Sequence, residues 1–157
     1  MPQSLAIVLI HLIFSTKNRE PTIPAELLPQ LHGYIVGILG NLQCPSLRTG
    51  GVVDHVHALF SLHRTAAIAD VVRTAAIADV VEEVKKGSSK WMKQQGVRSF
   101  AWQAGYAAFS VSESQKRAVI RYVEQQQEHH KKHSFQEEVR AFLTKHSVTY
   151  DERYVWD

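Results

Sequence analysis

The sequence has very little cysteine. Cys44 is the single cysteine among 157 residues, so the chain can form neither an internal disulfide nor a cysteine-based zinc site. Nothing therefore favours an oxidising compartment, and we expect a cytoplasmic protein. A membrane-spanning signal is also missing, because the short apolar run Leu5 to Phe14 contains His11 and has no basic segment before it. We interpret this run as a β-strand and expect no membrane partner.

The sequence also lacks a strong excess of charge of either sign. The formal net charge is +3, with 45% hydrophobic and 21% charged residues, which is ordinary globular usage and excludes a disordered or collagen-like chain. The mild basic excess is compatible with a nucleic-acid partner but does not establish one. The length corresponds to one domain over residues 1–157.

Hydrophobic periodicity predicts strands and helices in the order β-α-β-β-α-β, followed by further helices. The predicted strands are Leu5–Ser15, Cys44–Arg48, Val52–Leu62 and Ala101–Ser110, and the predicted helices are 25–39, a helix through Val84, one through Tyr122 that ends near 127–129, and Phe135–Lys145. Gly50-Gly51 indicates a hairpin turn between the second and third strands. This order is typical of an α+β, ferredoxin-like (RRM-like) αβ sandwich. We expect an antiparallel sheet with helices on one face and a C-terminal helix that bears the tyrosine.

A tandem duplication interrupts this pattern. Residues 64–72 are repeated without change as residues 73–81. Nine extra residues within a helix would rotate the parts on either side by about 180°. We therefore expect the second copy to continue in register into Val84, with Thr74 as a candidate N-cap. The first copy is expected to form a loop or an overhanging helical extension.

Two histidines in the third strand are candidates for a metal site. His55 and His57 are two residues apart, so on a strand they point to the same side, about 6.5 Å from each other, and can reach one ion. Asp54 would point to the opposite side. The alternative is a pair of partly exposed histidines beside the sheet, and the spacing alone leaves both interpretations open.

A tyrosine and a glutamine on the following helix form a second pair. Tyr122 and Gln126 are four residues apart, which puts the phenol and the amide on one helix face. The alternatives are a core aromatic for Tyr122 and a role for Gln125 or Gln127 in place of Gln126. The segment 129–133, rich in histidine and lysine, is interpreted as a solvated basic helix end and not as a second metal site.

Several segments together resemble a known family, the HUH-type single-tyrosine transposases of the TnpA-like kind, with their relatives associated with repetitive extragenic palindromes. The His-hydrophobe-His motif precedes Tyr-x-x-x-Gln in the order that this family has. The resembling segments are 11–19, 50–57, 86–91, 102–106, 109–112, the tyrosine helix, 129–132 and 134–138.

The resemblance implies a DNA transposase that cuts and rejoins single-stranded DNA through a 5′-phosphotyrosine intermediate. It implies Tyr122 as the nucleophile and His55, His57 and Gln126 as ligands of Mg²⁺ or Mn²⁺. An alternative is a domesticated or inactive protein that only binds single-stranded DNA hairpins. A third alternative, an RNA-recognition module, lacks the exposed aromatic residues on its strands that such modules use.

The resemblance further implies DNA with hairpin ends as the partner, and a homodimer in which the tyrosine helix of one subunit completes the site of the other. Basic residues together with one tryptophan are the candidates for DNA contact. They are Lys17, Arg19, Lys85, Lys86, Lys90, Trp91 and Arg98.

Overall fold

Four antiparallel strands form the centre of the protein, in a computed structural model that describes residues 7–62 and 77–157. The strands are β1 (Leu9–Ser15), β2 (Ser46–Val52), β3 (His55–Ser61) and β4 (Ala107–Val111). Their order in the sheet is β2-β3-β1-β4, and each neighbouring pair is antiparallel. The described α-helices are α1 (Leu28–Asn41), α2 (Ile77–Gln94), α3 (Lys116–Glu124), α4 (Gln126–His129) and α5 (Phe135–Lys145).

The central strand β1 is buried on both faces, which explains its nearly continuous apolar sequence. Leu12 and Phe14 belong to a large core with residues of α1 and α2 such as Leu31, Ile35 and Val84. Ile13, which points to the opposite side, belongs to a second, smaller core.

This second core is formed with α5, and its helical members are Phe135, Val139 and Leu143. Thus α1 and α2 cover one face of the sheet, as predicted for an α+β ferredoxin-like sandwich. The C-terminal helices lie over the other face.

The predicted hairpin between the second and third strands is present, but the predicted position of its turn at the paired glycines is wrong. Gly50 and Gly51 lie within β2, opposite His57 and Val56 of β3, and the turn falls between Val52 and His55. The glycines are needed for a different reason. A Cβ atom at Gly50 would lie 2.7 Å from the Val123 carbonyl oxygen, and one at Gly51 would overlap the His55 carbonyl oxygen. Both positions therefore allow close backbone contact and do not form the turn.

Several other boundaries also differ from the sequence prediction, and α1, for example, spans Leu28–Asn41 instead of 25–39. The fourth strand begins at Ala107 and not at Ala101, because Trp102 forms an isolated bridge with Thr16 and the chain then leaves the sheet. The predicted tyrosine helix is divided at Gln125 into α3 and α4. The last helix begins and ends as predicted, and Ser134 and Glu137 form a capping box at its start.

The duplication lies largely outside the described residues. The first copy, residues 64–72, and the candidate cap Thr74 belong to the part that the structure does not describe. Residues 77–81 of the second copy continue into α2 without a break, and Val80, Val81 and Val84 are buried on one side of the helix. This agrees with the predicted register. None of the described helices has the length and apolar character needed to cross a membrane.

His32 of α1 provides a prediction about acid sensitivity. Its Nε2 atom is buried and finds no hydrogen-bond partner among the described residues, and burial lowers the pKa of His32 to about 4. Between pH 6.5 and about pH 4, His32 is protonated in the unfolded chain but stays neutral in the folded chain. The contribution of His32 to stability is therefore lost as pH falls through this window, at most about 3 kcal/mol in total.

We expect the His32→Leu variant to lose less stability than the wild type between pH 6.5 and 4.5. Urea unfolding at a series of pH values measures the difference, which isolates His32 from the other buried histidines. Parallel stability curves for the two proteins would contradict the prediction.

Candidate metal and tyrosine site

The two histidines of β3 lie at the centre of the candidate site. His55 and His57 are both fully buried, which rules out the interpretation as partly exposed residues. Side-chain atoms able to bind a metal, one each from His55, His57, His130 and Glu138, all lie within 4.8 Å of one another. We call these four residues the His/Glu cluster. The cluster lies under α4 and α5, on the face of the sheet opposite to α1 and α2.

Two members of the cluster were missed by the sequence analysis. Glu138 of α5 is 4% exposed, and its carboxylate oxygens lie 3.2 Å from His57 Nε2 and 2.9 Å from His130 Nε2. The segment 129–133 is therefore not simply a solvated helix end. A signal for Glu138 exists in the sequence, since it shares the apolar stripe of α5 with Phe135 and Val139. A carboxylate on such a stripe needs partners in the interior.

Gln126 is the glutamine that reaches the cluster. Its Oε1 atom lies 2.9 Å from His130 Nε2 and 3.2 Å from His55 Nε2. Its Nε2 atom donates to the Tyr122 carbonyl oxygen at 3.1 Å. Gln125 and Gln127 are exposed, so the structure favours Gln126 over both alternatives.

The Nδ1 atoms of both β3 histidines are engaged away from the cluster. His55 Nδ1 donates to Asp54 Oδ1 at 2.6 Å, and His57 Nδ1 lies 2.8 Å from Nε2 of the buried His11. A carboxylate can only accept, so Asp54 fixes the proton of His55 on Nδ1 and leaves its Nε2 lone pair directed into the cluster. The sequence analysis had assigned Asp54 to the other side of the strand.

Tyr122 lies beside the cluster. Its hydroxyl donates to Glu138 and lies 3.2 Å from His129 Nε2, while its ring centroid is 5.6 Å from that of His57. The helix α3 approaches β2 closely because Gly50 has no side chain. The tyrosine thus has its hydroxyl in contact with a member of the His/Glu cluster.

The electrostatics of the cluster favour a cation. Burial lowers the pKa of His57 to about 4, so this imidazole is neutral at neutral pH. Burial opposes ionisation of Glu138, but the close polar contacts with His130 and His57 outweigh it and hold the pKa of this carboxyl well below its usual range. Burial and the nearby Glu138 carboxylate raise the pKa of Tyr122 well above its usual value. Burial opposes protonation of His130, but its contact with Glu138 outweighs burial and raises the pKa of His130. The site therefore carries an ionised carboxylate beside the neutral His57 imidazole.

The residues present fit a divalent cation. His57 Nε2 and Glu138 Oε2 are buried without a well-aligned hydrogen bond among the described residues, which leaves two ligand atoms free to bind. Imidazole nitrogens and carboxylate oxygens are common ligands of divalent metals. The cluster and the Gln126 amide oxygen can together hold such an ion.

The predicted DNA contacts are distributed around the 101–106 loop and α2. Lys85 Nζ donates to the carbonyl oxygens of Gln103, Ala104 and Gly105 at 2.9, 3.2 and 2.6 Å, and burial lowers its pKa to about 8. Lys85 therefore anchors this loop. Lys17 reaches the same region through its backbone N–H, which donates to Ala101.

The other predicted contacts differ in whether the side chain packs on another side chain or is exposed to solvent. Trp91 stacks on Tyr34 with ring centroids 5.4 Å apart, and the Arg19 guanidinium lies 5.7 Å above the Trp156 ring. Among the predicted DNA contacts, the exposed basic residues are Lys17, Lys86, Lys90 and Arg98. Lys86 also lines, with Lys85 and Tyr106, a surface cleft of about 480 Å³.

Fold and site together define an α+β protein with a metal-competent histidine cluster next to a tyrosine. A family model described as IS200-like transposase matches residues 6–126. The chain therefore belongs to this family of DNA transposases, as the sequence resemblance had predicted. No curated protein matches the chain closely enough to count as a relative.

Two solved structures share the fold. A candidate transposase from Deinococcus radiodurans R1 is 22% identical, with a TM-score of 0.57 over 80% of this chain and 98% of its own. A REP-associated tyrosine transposase, solved bound to a REP hairpin, is 14% identical, with a TM-score of 0.56 over 83% of this chain and 74% of its own. At these identities the similarity supports the fold, and the function rests on the family.

Proposed function

We propose that this transposase cuts and rejoins single-stranded DNA through a covalent link between Tyr122 and a 5′-phosphate. One observation carries the proposal. The Tyr122 hydroxyl donates a hydrogen bond to Glu138, which also contacts His57 of the His/Glu cluster. A phenol near neutral pH is a weak nucleophile and needs an adjacent acceptor and charge stabilisation. Both are available here within one chain.

In the proposed reaction, the Tyr122 oxygen forms a bond to phosphorus as the bond from phosphorus to the 3′-oxygen breaks. The proton of the hydroxyl passes to water while the departing 3′-oxygen takes a proton from water, so the two transfers cancel, and the hydrogen bond to Glu138 orients the Tyr122 hydroxyl. Attack by another 3′-hydroxyl reverses these bond changes and returns the proton to Tyr122. The phosphoester bond count is unchanged in each step, so no nucleotide cofactor is required.

We propose that His55, His57 and Gln126 hold Mg²⁺ or Mn²⁺, together with His130 and Glu138 of the cluster. When bound, such an ion supplies Lewis-acid stabilisation of negative charge on the phosphate. The fixed Nδ1 proton of His55 and the buried position of Gln126 support these ligand roles because they direct the remaining donor atoms to one place.

We propose DNA hairpins as the substrate, acted on in chromosomal DNA in the cytoplasm. The REP-associated structural relative is bound to a hairpin, and the mild basic excess of this chain is compatible with DNA. The proposed contacts are Lys17, Arg19, Lys85, Lys86, Lys90, Trp91 and Arg98. The exposed lysines and Arg98 are suited to phosphates, whereas Lys85 and Trp91 would act while retaining their contacts within the protein.

A labelled-DNA experiment tests the proposal. Single-stranded oligonucleotides that cover the hairpins flanking this gene are incubated with the protein and Mn²⁺ or Mg²⁺, then separated on a denaturing gel. A 5′-phosphotyrosine link predicts that a 3′ label moves with the protein, while a 5′ label appears on a shorter free strand. Hairpin binding without any adduct would overturn the proposal in favour of an inactive hairpin-binding protein.

We also propose a homodimer in which two chains exchange α3, so that each tyrosine serves the partner's cluster. Within one chain, α3 already packs on its own β2 through Gly50 and Val123, and an exchanged helix would reproduce the same contacts across the two chains.

A mixture of two inactive variants tests this arrangement. Tyr122→Phe and the double variant His55→Ala, His57→Ala are each expected to be inactive. In a dimer with exchanged helices, random reassociation should restore about a quarter of the wild-type adduct yield, since half of the dimers carry one complete site. No recovery, together with a monomer mass by light scattering, would contradict the exchange.

A further inference from the structure

His11 is a buried histidine that the proposed reaction does not use. It lies in the middle of β1 and is 1% exposed. In the β1 and β3 pairing, His11 lies opposite Leu59, so His57 is its diagonal neighbour on the same face of the sheet. The two rings meet through Nε2 of His11 and Nδ1 of His57, 2.8 Å apart.

The ring of His11 has a fixed orientation. The Phe142 ring lies against its edge at 5.1 Å between centroids, and the Tyr122 ring lies at 6.2 Å in a similar geometry. A neutral imidazole has one donor and one acceptor nitrogen, so it can accept a hydrogen bond at Nε2 when its proton is on Nδ1.

The two β3 histidines differ in the group that holds their Nδ1 atoms. His55 contacts the Asp54 carboxylate, which can only accept. His57 contacts an imidazole, which can either donate or accept. If His11 donated, the His57 proton would be on Nε2 and would block the nitrogen that faces Glu138 at 3.2 Å.

We propose that His11 is a positioning residue that accepts the Nδ1 proton of His57 and thereby keeps the His57 Nε2 lone pair available to a divalent cation. The inference rests on the metal binding in the proposed function. It assigns to His11, from a different strand, the role that Asp54 has for His55. Binding of the cation then requires that His55 and His57 both carry their proton on Nδ1.

Metal titration without DNA tests the proposal. Mn²⁺ is added to the wild type and to His11→Leu, His11→Gln and the control His32→Leu, which removes another buried histidine outside the cluster. Free Mn²⁺ is counted by electron paramagnetic resonance. We expect His11→Leu to bind Mn²⁺ about 10- to 100-fold more weakly, whereas His32→Leu binds like the wild type. The amide oxygen of His11→Gln can accept a hydrogen bond and should restore most of the affinity.

A second measurement reads the proton directly. Long-range ¹H–¹⁵N spectra of the wild-type protein loaded with diamagnetic Zn²⁺ should show the His57 proton on Nδ1 and an unprotonated Nε2 on His11. An unprotonated His57 Nδ1, or equal Mn²⁺ affinities of His11→Leu and His32→Leu, would overturn the proposal while leaving the metal site itself in place. Absence of Mn²⁺ and Zn²⁺ binding by the wild type would overturn the proposed metal function together with this inference.

Discussion

Tyr122→Phe is expected to abolish the covalent protein–DNA adduct while hairpin binding stays at the wild-type level. The substitution removes only the hydroxyl and keeps the ring that packs near His57 and Phe142. Loss of a nucleophile lowers the rate by at least about 10⁴-fold in enzymes that form covalent intermediates. The 3′-labelled adduct on a denaturing gel measures the loss, and a native gel measures binding.

The matched control is Tyr106→Phe. Tyr106 is 41% exposed, and its ring centroid lies 5.8 Å from Lys85 Nζ. This variant should retain the adduct. An adduct that persists in Tyr122→Phe and disappears in Tyr106→Phe would mean that Tyr106, and not Tyr122, is the nucleophile.

Removal of both imidazoles of the His-x-His pair is expected to abolish metal-dependent cleavage. In the double variant His55→Ala, His57→Ala the cluster loses two nitrogen ligands and keeps the Glu138 carboxylate. Loss of residues that only orient ligands costs 10- to 100-fold in metal affinity, so loss of two ligands should lower cleavage at a fixed Mn²⁺ concentration by more than about a hundredfold. The initial rate of adduct formation, measured against Mn²⁺ concentration, gives the effect.

Stability must be measured in parallel, because both side chains are fully buried and their removal leaves cavities. Circular dichroism and thermal unfolding identify the fraction of folded protein. His32→Leu is again the control for loss of a buried histidine, and it should cleave like the wild type. Wild-type rates in the folded double variant would show that these histidines are not metal ligands.

Short sequence patterns predicted the strands and helices whose formation depends on neighbouring residues. The apolar run of β1 and the helical spacing of α1 each act over a few residues, and both elements form close to the predicted positions. Before the start of β4, Lys85 Nζ donates to the carbonyl oxygens of residues 103–105. A contact between residues so far apart in the chain leaves no periodic signal.

The same division applies to the site. The spacings of His55 with His57 and of Tyr122 with Gln126 are visible in the sequence because each pair lies on one strand or one helical segment. Glu138 joins them only because α5 packs against the sheet. The available clue was that Glu138 is a charged residue on an apolar stripe. His11, the partner of His57, could be found only from the pairing of β1 with β3.

The missing side chain at Gly50 sets the distance between the two halves of the site. The Val123 carbonyl oxygen, next to Tyr122 in the chain, occupies the space where a Cβ atom would be, at 2.7 Å. A single methyl group at position 50 would push α3 outward and take the phenol away from the cluster, without changing any group that reacts. Position 50 thus acts as a spacer, and a substitution there is expected to weaken the proposed activity while the proposed metal ligands and nucleophile stay intact.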